Sequence, residues 1–392
     1  MNITERKNIA LVIYADPFHF PPTINAANIL AEQGFNVYLI GYDNSDNWSQ
    51  HLDPKVIPKS LGPVKTGFLS LVQYIRSIIF LRKFLKANNI EWVIGYDAKS
   101  VLPVYLAAWK RKTKWIYHQH DFWELPVGWW QKFLWSSERK LAKHADFVSF
   151  PQLQRAEYFQ QVAGLPTLPI IIFNGPRKQW LDEGCCEDEI LSGLRKKFKF
   201  LLIYQGGWST HFKLERLFDA IKVAPDDIGL VMLGEEREQG LRNHYVEYLE
   251  SHGIRERVYL AEKYIPYEKL TGFTKFCDAA IGKLTGDDDQ APFNDRYLIG
   301  AANKITEYIA CGLPVILQES APNKLFLKKY PVGILVETTD RIKFATALTE
   351  LLRDNNKIES IKFANKKLFL EELNFDHQFQ PVLEIIKNRS QN

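Results

Sequence analysis

The chain alternates short strand-like runs with helical patterns, and it does so twice. Helical patterns such as Thr23–Gln33 and Trp130–His144 separate runs that are rich in β-branched and aromatic residues. This alternation predicts parallel sheets covered by helices on both faces. We therefore predict an α/β protein of two doubly wound, Rossmann-like domains that face each other across a cleft, where such sheets bind ligands. The predicted strands are Ile9–Tyr14, Val37–Tyr42, Trp92–Tyr96, Trp115–His118, Phe147–Phe150, Ile170–Phe173, Phe200–Gln205, Ile228–Leu233, Val258–Leu260, Ala279–Lys283, Val315–Gln318 and Gly333–Val336.

The length also favours two domains, because 392 residues exceed what one ordinary core holds. The tripeptide at 174–176, Asn-Gly-Pro, interrupts the pattern, and a charged stretch to Lys199 reads as a connector. We predict an N-terminal domain at 1–184 and a C-terminal domain at 185–372. Residues 373–392 are predicted to form a helix that packs back on the N-terminal domain.

Composition places the chain among globular proteins, with 46% hydrophobic and 24% charged residues. The apolar run at the start ends at Asp16 and indicates a first core strand instead of a signal peptide. No apolar run reaches the roughly 18 residues of a membrane span. The four cysteines match no zinc spacing and no disulfide framework, so a reducing cytoplasm is expected; they are Cys185, Cys186, Cys277 and Cys311.

The net charge of +4 is spread unevenly. Residues 1–184 contain 21 Lys and Arg against 15 Asp and Glu, which leaves +6 in that part. Basic residues stand beside large apolar ones in 69–86, in 110–114 and around Trp129–Trp135. This pattern suits the anionic surface of the inner face of a membrane, but it also fits an ordinary helix with one buried face. Nucleic acid is not favoured, because the basic residues form no recognised binding motif.

Residues 303–316 predict a helix that leads into a buried strand. Asn303 is a suitable helix cap, because its side-chain oxygen can accept from N–H groups of the first turn. Gly312 is suited to the left-handed residue that ends a helix, and Pro314 prevents its continuation. Glu307 lies about one turn inside, where its carboxylate can accept two hydrogen bonds from a sugar diol. The alternative is a helix that has the same capping residues, leads into a strand and binds no ligand.

A glycine pair follows the first strand of the second half. Gly206 and Gly207 allow a ligand to approach the backbone and its N–H groups. Lys213 is near enough in sequence to reach a phosphate as a point charge. A simple tight turn is the alternative explanation.

Two histidines end a predicted strand of the first half. His120 would point from the carboxyl end of the strand towards the cleft, and Asp121 would fix its tautomer or hold its charge. A satisfied histidine at a strand end is the alternative. His118 and His120 are also spaced for a metal, but no third ligand has convincing spacing.

No other motif adds chemistry. The acidic run Asp287–Asp289 lies in a loop where solvated carboxylates are common, so no metal is expected. There is no nucleophile elbow, no P-loop and no dinucleotide-binding glycine motif, which leaves hydride and acyl transfer unsupported.

Together these segments resemble the retaining glycosyltransferases of the GT-B fold, a group that includes sucrose synthases and many bacterial polysaccharide and lipid glycosyltransferases. The resemblance spans nearly the whole chain. It is carried by residues 303–316, by Tyr204–Gly207, by His120 and Asp121, and by the tripeptide at 174–176.

The resemblance implies a role for each segment. Glu307 would bind the ribose of a nucleotide sugar, and the N–H groups of Lys304 and Ile305 would bind its pyrophosphate. Gly207 and Lys213 would contact the same phosphates. Residues 262–265 would hold the base through the backbone, and His120 would face the acceptor or the transferred sugar. The donor site is thus assigned to Gly206, Gly207, Lys213, Lys263, Tyr264, Asn303, Lys304, Ile305 and Glu307, the acceptor side to His120 and Asp121, and catalysis to His120, Lys213 and Glu307.

One position departs from the family pattern. A second glutamate often stands eight residues before the ribose-binding one, and here that residue is Ile299. A related subgroup instead has an Asn-x-Arg-Tyr approach before Pro-Asn-Lys. This chain has Asn294–Tyr297, with Ala302 in place of the proline. The identity of the donor sugar therefore stays open.

The implied function is transfer of a sugar from a nucleotide sugar to a glycan, lipid-linked or other hydroxyl acceptor. The transfer would retain configuration and need no metal or cofactor, and it would serve the synthesis of a polysaccharide, glycolipid or glycan at or near a membrane. Two alternatives stay open: a nucleotide-sugar epimerase of the same architecture, and a non-catalytic subunit that binds a nucleotide sugar.

Overall fold

The computed structural model describes residues 7–43, 51–121, 126–182, 189–261, 265–284, 297 and 299–388. The chain divides into two compact units. Unit 1 comprises Met1–Asn174 and Phe375–Asn392, and unit 2 comprises Gly175–Asn374. The division falls within the Asn-Gly-Pro tripeptide, ten residues before the predicted boundary at 184.

Unit 1 contains a parallel sheet of seven strands in the order β3-β2-β1-β4-β5-β6-β7. An α/β unit with a parallel sheet was predicted, and the structure confirms it. One strand, β3, was not predicted. It lies at the sheet edge, its side chains are mostly exposed, and Pro58 and Lys59 lower its strand signal. The strands are β1 (Asn8–Ile13), β2 (Asn36–Gly41), β3 (Val56–Ser60), β4 (Ile90–Tyr96), β5 (Lys114–His118), β6 (Phe147–Phe150) and β7 (Ile170–Ile171).

Helices cover both faces of this sheet with separate apolar clusters. Helices α2, α3 and α4 contribute to one cluster, and helix α1 contributes to the other. Among the helices that the structure describes, none combines the length and the hydropathy needed to cross a bilayer. The helices of this part are α1 (Pro21–Glu32), α2 (Gly67–Ala87), α3 (Asp97–Ala108), α4 (Gly128–Leu141) and α5 (Leu153–Ala163).

Unit 2 contains a second parallel sheet, of six strands in the order β10-β9-β8-β11-β12-β13. Its first strand, β8, lies between β9 and β11, so the strand order reverses on either side of it. Ligands of doubly wound sheets bind beyond the carboxyl ends of the strands at such a reversal. The strands are β8 (Phe200–Gln205), β9 (Ile228–Leu233), β10 (Val258–Leu260), β11 (Ala279–Ile281), β12 (Val315–Gln318) and β13 (Gly333–Val336).

The helices of unit 2 pack on its sheet, and the last segment of the chain returns to unit 1. There Phe375, Phe379 and Leu383 join the apolar cluster formed by β1, β2 and α1. The unit 2 helices are α6 (Glu189–Lys197), α7 (Glu215–Val223), α8 (Leu241–Ser251), α9 (Tyr267–Phe276), α10 (Asn303–Ala310), α11 (Ala321–Lys329), α12 (Arg341–Arg353) and α13 (Asn355–Leu368); those of the returning segment are α14 (Phe375–Gln378) and α15 (Gln380–Asn388).

Candidate functional site

Helix α10 ends as the sequence predicts, but it begins differently. Gly312 has φ 81°, and the N–H groups of Gly312 and Leu313 donate to Ile309 O and Tyr308 O, each at 2.9 Å. This is a Schellman motif. At the other end, the extended cap residue is Ala302, and its side chain cannot cap. The prediction that Asn303 caps the helix is therefore wrong, because Asn303 already has helical backbone geometry.

The Asn303 side chain still lies at the start of α10. Its Oδ1 atom is buried and accepts no hydrogen bond from the described part of the protein. A buried oxygen without a partner is uncommon and costs free energy. The nearby Ile305 N–H donates to Ala302 O at 3.3 Å, and the Ile305 side chain is buried. Asn303 thus presents an unsatisfied acceptor beside the helix N-terminus.

Glu307 is buried one turn further along α10. Desolvation raises the pKa of its carboxyl from 4.5 to about 7, while the nearby Lys304 ammonium and a hydrogen bond from Tyr267 oppose the rise in pKa. The next residue, Tyr308, accepts a hydrogen bond at its hydroxyl from Gln205 N at 2.7 Å. This bond ties α10 to the last residue of β8, so Glu307 is held next to the glycine turn.

The glycine turn is closely covered by two cationic side chains. Gly206 has φ 116°, and a Cβ atom on it would lie 3.0 Å from Lys304 Nζ. A Cβ atom on Gly207 would lie 3.1 Å from Arg237 Cγ. The Gly206 N–H already donates to Leu233 O at 2.9 Å, so this amide is not available to a ligand as predicted. A side chain at either position would have to displace one of these cations, and the φ of Gly206 also favours glycine.

Three positively charged side chains lie close together at this turn, beyond the ends of three adjacent strands. Lys304 Nζ lies 4.3 Å from the centroid of the Tyr204 ring. Lys283 Nζ and Arg237 Cζ lie 4.1 Å and 5.7 Å from the centroid of the Phe212 ring. The pKa of the Lys304 ammonium is lowered from 10.5 to about 7, first by desolvation and then by repulsion from Lys283 and Arg237. We call Lys304, Lys283 and Arg237 the cation cluster.

Two members of the cation cluster, Arg237 and Lys283, were not among the predicted site residues. Arg237 follows β9, and Lys283 follows β11, the two strands that flank β8. Neither residue belongs to a local motif. The position of Arg237 after a predicted strand, and of Lys283 as the last residue of one, is a signal that could have found them. Lys304 was chosen for its backbone N–H, whereas its side chain is the group that joins the cluster.

The other residues singled out in the C-terminal half of the sequence lie at the rim of the cation cluster or outside the described residues. Lys213 is exposed with φ 45°, directly after the Phe212 ring that underlies the cation cluster. Lys263, Tyr264, Asp287–Asp289 and Asn294–Arg296 lie outside the described residues. Within the described residues, no group of three potential ligands could hold a metal ion.

In unit 1, His120 is buried and held by Asp97. Asp97 Oδ1 accepts from His120 N at 2.7 Å, and Oδ2 lies 3.1 Å from His120 Nδ1. On the other side of the ring, Nε2 lies 3.5 Å from Thr23 Oγ1. The ring stacks on Tyr96 with 5.1 Å between centroids. His120 is therefore fixed in both orientation and tautomer.

The prediction that Asp121 performs this role is wrong. Its carboxylate accepts from Arg155 at 3.2 Å and its side chain is 78% exposed. Asp97 takes the role because β4 and β5 are paired, with Tyr96 opposite His118, so both chain segments leave the sheet side by side. Asp97 also has φ 61°, a left-handed geometry that is strained for a residue other than glycine.

His118 makes a different set of contacts from His120. Its Nδ1 atom lies 2.9 Å from Ser149 Oγ, and its ring meets His120 edge-on at 4.9 Å between centroids. Burial lowers the pKa of His118 well below its usual value of 6.5, and the neighbouring His120 lowers it further. His118 is thus a neutral, satisfied histidine of the core.

Comparison with known proteins agrees with this architecture. Residues 25–174 match the family model described as a glycosyl transferase 4-like domain. The chain is similar to Anabaena HepE in complex with UDP and glucose, with a TM-score of 0.74 and 15% identity over 98% of this chain and 100% of that one. No curated protein sequence matches the chain.

Two further solved structures are similar over nearly their whole length. Sucrose-phosphate synthase from Thermosynechococcus elongatus has a TM-score of 0.74 and 15% identity, with 98% of this chain and 100% of that chain covered. A putative UDP-N-acetylglucosamine 2-epimerase from Listeria monocytogenes has a TM-score of 0.65 and 14% identity, with 99% and 97% covered. The chain has the GT-B fold, and the predicted resemblance to GT-B glycosyltransferases is confirmed.

Replacing the Asp97 carboxylate should alter the tautomer of the His120 ring. In Asp97→Asn an amide replaces the group that accepts from Nδ1–H, so we expect the ring nitrogen signals of His120 to move towards a mixture of tautomers. Long-range proton–nitrogen correlation spectra of protein labelled at histidine measure this change, and His120→Gln assigns the signals. Asp121→Asn is the matched control. A larger change in Asp121→Asn than in Asp97→Asn would contradict the assignment.

Glu307 should make stability depend on pH in a defined direction. Because its pKa is about 7 when folded and 4.5 in the reference state, the folded protein binds more protons in this interval. Stability therefore falls as pH rises from 4.5 to 7. Glu307→Gln removes this loss, so the stability of the variant relative to the parent should increase across the interval.

Urea unfolding at both ends of that pH interval measures the difference. Glu247→Gln, an exposed residue of α8, is the control and should follow the parent protein. Parallel pH profiles of the parent and Glu307→Gln would show that the Glu307 pKa is not raised.

Proposed function

We propose that the protein is a glycosyltransferase that moves a sugar from a nucleotide sugar to a hydroxyl acceptor. The observation that carries this proposal is the cation cluster at the glycine turn. Three cations gathered beyond β8, β9 and β11 repel one another, and one of them has lost much of its hydration. A diphosphate bound there would relieve both costs, because its oxygens accept charge-assisted hydrogen bonds from lysine and arginine.

Helix α10 also supports a diphosphate as the ligand. The N-terminus of α10 carries a partial positive charge and begins beside the Gly206–Gly207 turn, where Lys304 Nζ approaches Gly206. The unsatisfied Asn303 Oδ1 at this end of the helix is an acceptor, so it suits a hydroxyl of the nucleotide sugar and not the diphosphate itself. We propose that Lys304, Lys283 and Arg237 bind the diphosphate, with Lys213 at the exposed rim.

Glu307 suits the ribose of the same donor. Its carboxyl is buried, and desolvation is the main reason that its pKa is raised to about 7. Two ribose hydroxyls that donate to this carboxylate would stabilise its charged form and replace the hydration lost on burial. The bond from Gln205 N to Tyr308 keeps Glu307 close to the diphosphate.

The proposed chemistry is attack of the acceptor hydroxyl on the anomeric carbon. The bond from this carbon to the diphosphate oxygen breaks, and the acceptor proton passes to the leaving diphosphate. The cation cluster acts where negative charge develops, and one such donor contributes about 2.7–4 kcal/mol to lowering a barrier. Attack from the leaving-group side would retain configuration without a metal, and the transferred group would be a hexose, as the family resemblance implies.

The proposed acceptor is a glycan or lipid-linked hydroxyl compound, and His120 is assigned to the acceptor or to the transferred sugar. Asp97 positions His120 in this proposal, in place of Asp121. Cys277 and Cys311 are buried and not joined by a disulfide, which supports a reducing compartment such as the cytoplasm.

An epimerase is the second candidate. The similarity to the putative epimerase from Listeria monocytogenes favours it. An epimerase would bind the same nucleotide sugar and change it without an acceptor. Its donor site would use the cation cluster and Glu307 in the same way, so only the products distinguish the two reactions.

Loss of one cation from the cluster should weaken binding of a nucleoside diphosphate. For Arg237→Gln and for Lys283→Gln we expect a loss of about tenfold to a hundredfold in affinity, because a hydrogen bond to a charged group contributes about 1.5–3 kcal/mol. Titration calorimetry with a panel of nucleoside diphosphates measures this, and thermal stabilisation confirms folding. Lys222→Gln, exposed on α7, is the control with equal charge change. If no nucleoside diphosphate binds, or if all three variants bind alike, the donor site is refuted.

Glu307→Ala should reduce sugar transfer from the identified donor by about a hundredfold or more in kcat/KM, because two hydrogen bonds to a charged group are lost. Glu247→Ala is the control. Mass analysis of the products decides between the candidates. Donor consumption with a sugar-bearing acceptor supports the transferase, whereas an isomerised nucleotide sugar without acceptor identifies an epimerase. Unchanged turnover in Glu307→Ala would remove this residue from the site.

A further inference from the structure

Helix α2 exposes apolar side chains on the face that is turned away from the sheet. Its inner face is buried in the core of unit 1 through residues such as Tyr74, Leu81 and Phe84. On the outer face Phe68 is 77% exposed, and Ile75 and Ile79 are about half exposed. A surface helix normally carries polar residues on that face. The fold therefore does not account for the outer face of α2.

Helix α4 extends this apolar surface. Trp129 is 69% exposed and Phe133 is 44% exposed. The two helices are joined by Trp130, whose ring lies 5.1 Å from that of Tyr74 in α2 and 5.5 Å from that of Phe133. We call the exposed residues of both helices the α2–α4 patch: Phe68, Leu69, Ile75, Ile79, Trp129 and Phe133.

All exposed charges of these two helices are positive. Helix α2 contains no Asp or Glu in its 21 residues. It carries four exposed basic residues, three of which follow the apolar stripe towards the C-terminal end. The single acidic residue of α4, Glu138, is completely buried, where it accepts hydrogen bonds from Tyr117 and Gln119. The basic residues are Arg76, Arg82, Lys83 and Lys86 in α2, and Lys132 and Lys140 in α4.

We propose that the α2–α4 patch docks on the surface of an anionic lipid bilayer. In this arrangement α2 lies in the plane of the membrane, the apolar side chains enter the boundary between headgroups and acyl chains, and the basic side chains meet lipid phosphates. Each lysine or arginine near such a surface contributes about 1 kcal/mol to binding. Exposed tryptophan is also the aromatic residue enriched at this depth of a bilayer.

The charge pattern favours lipid over a second copy of the chain. In a symmetric dimer the same patch would meet itself, and the basic residues of one copy would oppose those of the other. With no exposed acidic residue on α2 or α4 to pair with them, this contact would be repulsive. An anionic bilayer supplies the opposite charge and an apolar layer together.

This inference goes beyond the proposed function, since binding to a bilayer requires neither donor nor transfer. An experiment can also refute either proposal and leave the other intact. Vesicle binding depends on the α2–α4 patch in unit 1, and nucleotide binding depends on the cation cluster in unit 2.

The test is sedimentation of the full chain with vesicles of phosphatidylcholine, with and without phosphatidylglycerol. We expect binding to the anionic vesicles and little binding to phosphatidylcholine alone. Replacing a basic residue, as in Arg76→Gln or Lys83→Gln, should weaken binding about fivefold for each charge removed. Higher salt should weaken it further.

Variants of the apolar side chains test the α2–α4 patch itself. Phe68→Ser and Ile79→Ser change exposed side chains, so they should fold normally and bind anionic vesicles about tenfold more weakly or worse. Phe363→Ser, an equally exposed phenylalanine in α13, is the matched control and should bind like the parent. Nucleoside diphosphate affinity, measured on the same variants, should not change.

Three results would overturn the proposal. The first is equal binding to neutral and anionic vesicles, and the second is full binding by Phe68→Ser and Ile79→Ser. The third is a concentration-dependent dimer, seen by sedimentation velocity, that Phe68→Ser abolishes. That result would show that a second copy covers the patch.

Discussion

Mutual repulsion among Lys304, Lys283 and Arg237 is the interaction on which the candidate site depends. The three cations are held together by the ends of β8, β9 and β11 and by the start of α10. The pKa of Lys304 is lowered to about 7, first by desolvation and then by this repulsion. The core provides the support: the Phe212 ring lies under two of the cations, and the bond from Gln205 to Tyr308 fixes α10 against β8. An anion would remove much of this repulsion, which is the physical reason for proposing a diphosphate as the ligand.

The same topological rule operates in unit 1. His120 and Asp97 follow β5 and β4, two paired strands, and they meet because both strands end at the same edge of the sheet. In this position Asp97 has a left-handed backbone conformation, which costs on the order of 1–3 kcal/mol. Such strain is maintained only where surrounding contacts enforce it, and here both carboxylate oxygens contact His120. In each unit, then, the chemically active groups lie where the strand order reverses or where neighbouring strands end together.

The proposed membrane contact fits the proposed reaction without depending on it. A lipid-linked acceptor lies at the surface of a bilayer, and the α2–α4 patch would bring unit 1 to that surface. The cost of leaving the patch exposed to water is otherwise unexplained, because the large apolar side chains of its outer face add nothing to the core. In these two proposals, positive charge in unit 1 and the cation cluster in unit 2 serve different ligands, a lipid surface and a diphosphate.

The sequence by itself determined the two parallel sheets, most of their strands and the helix that carries Glu307. Strand β12 was predicted with its observed bounds, because Gly312 and Pro314 mark its start and its first three residues are apolar. Strand β3 was missed because an exposed edge strand lacks that signal. Only the tertiary structure decided that Arg237 and Lys283 join Lys304, that Asp97 instead of Asp121 holds His120, and that Ala302 instead of Asn303 caps α10. The reason is physical: local periodicity reports the burial of each residue, whereas contacts between distant side chains depend on strand order and register, which neighbouring residues do not encode.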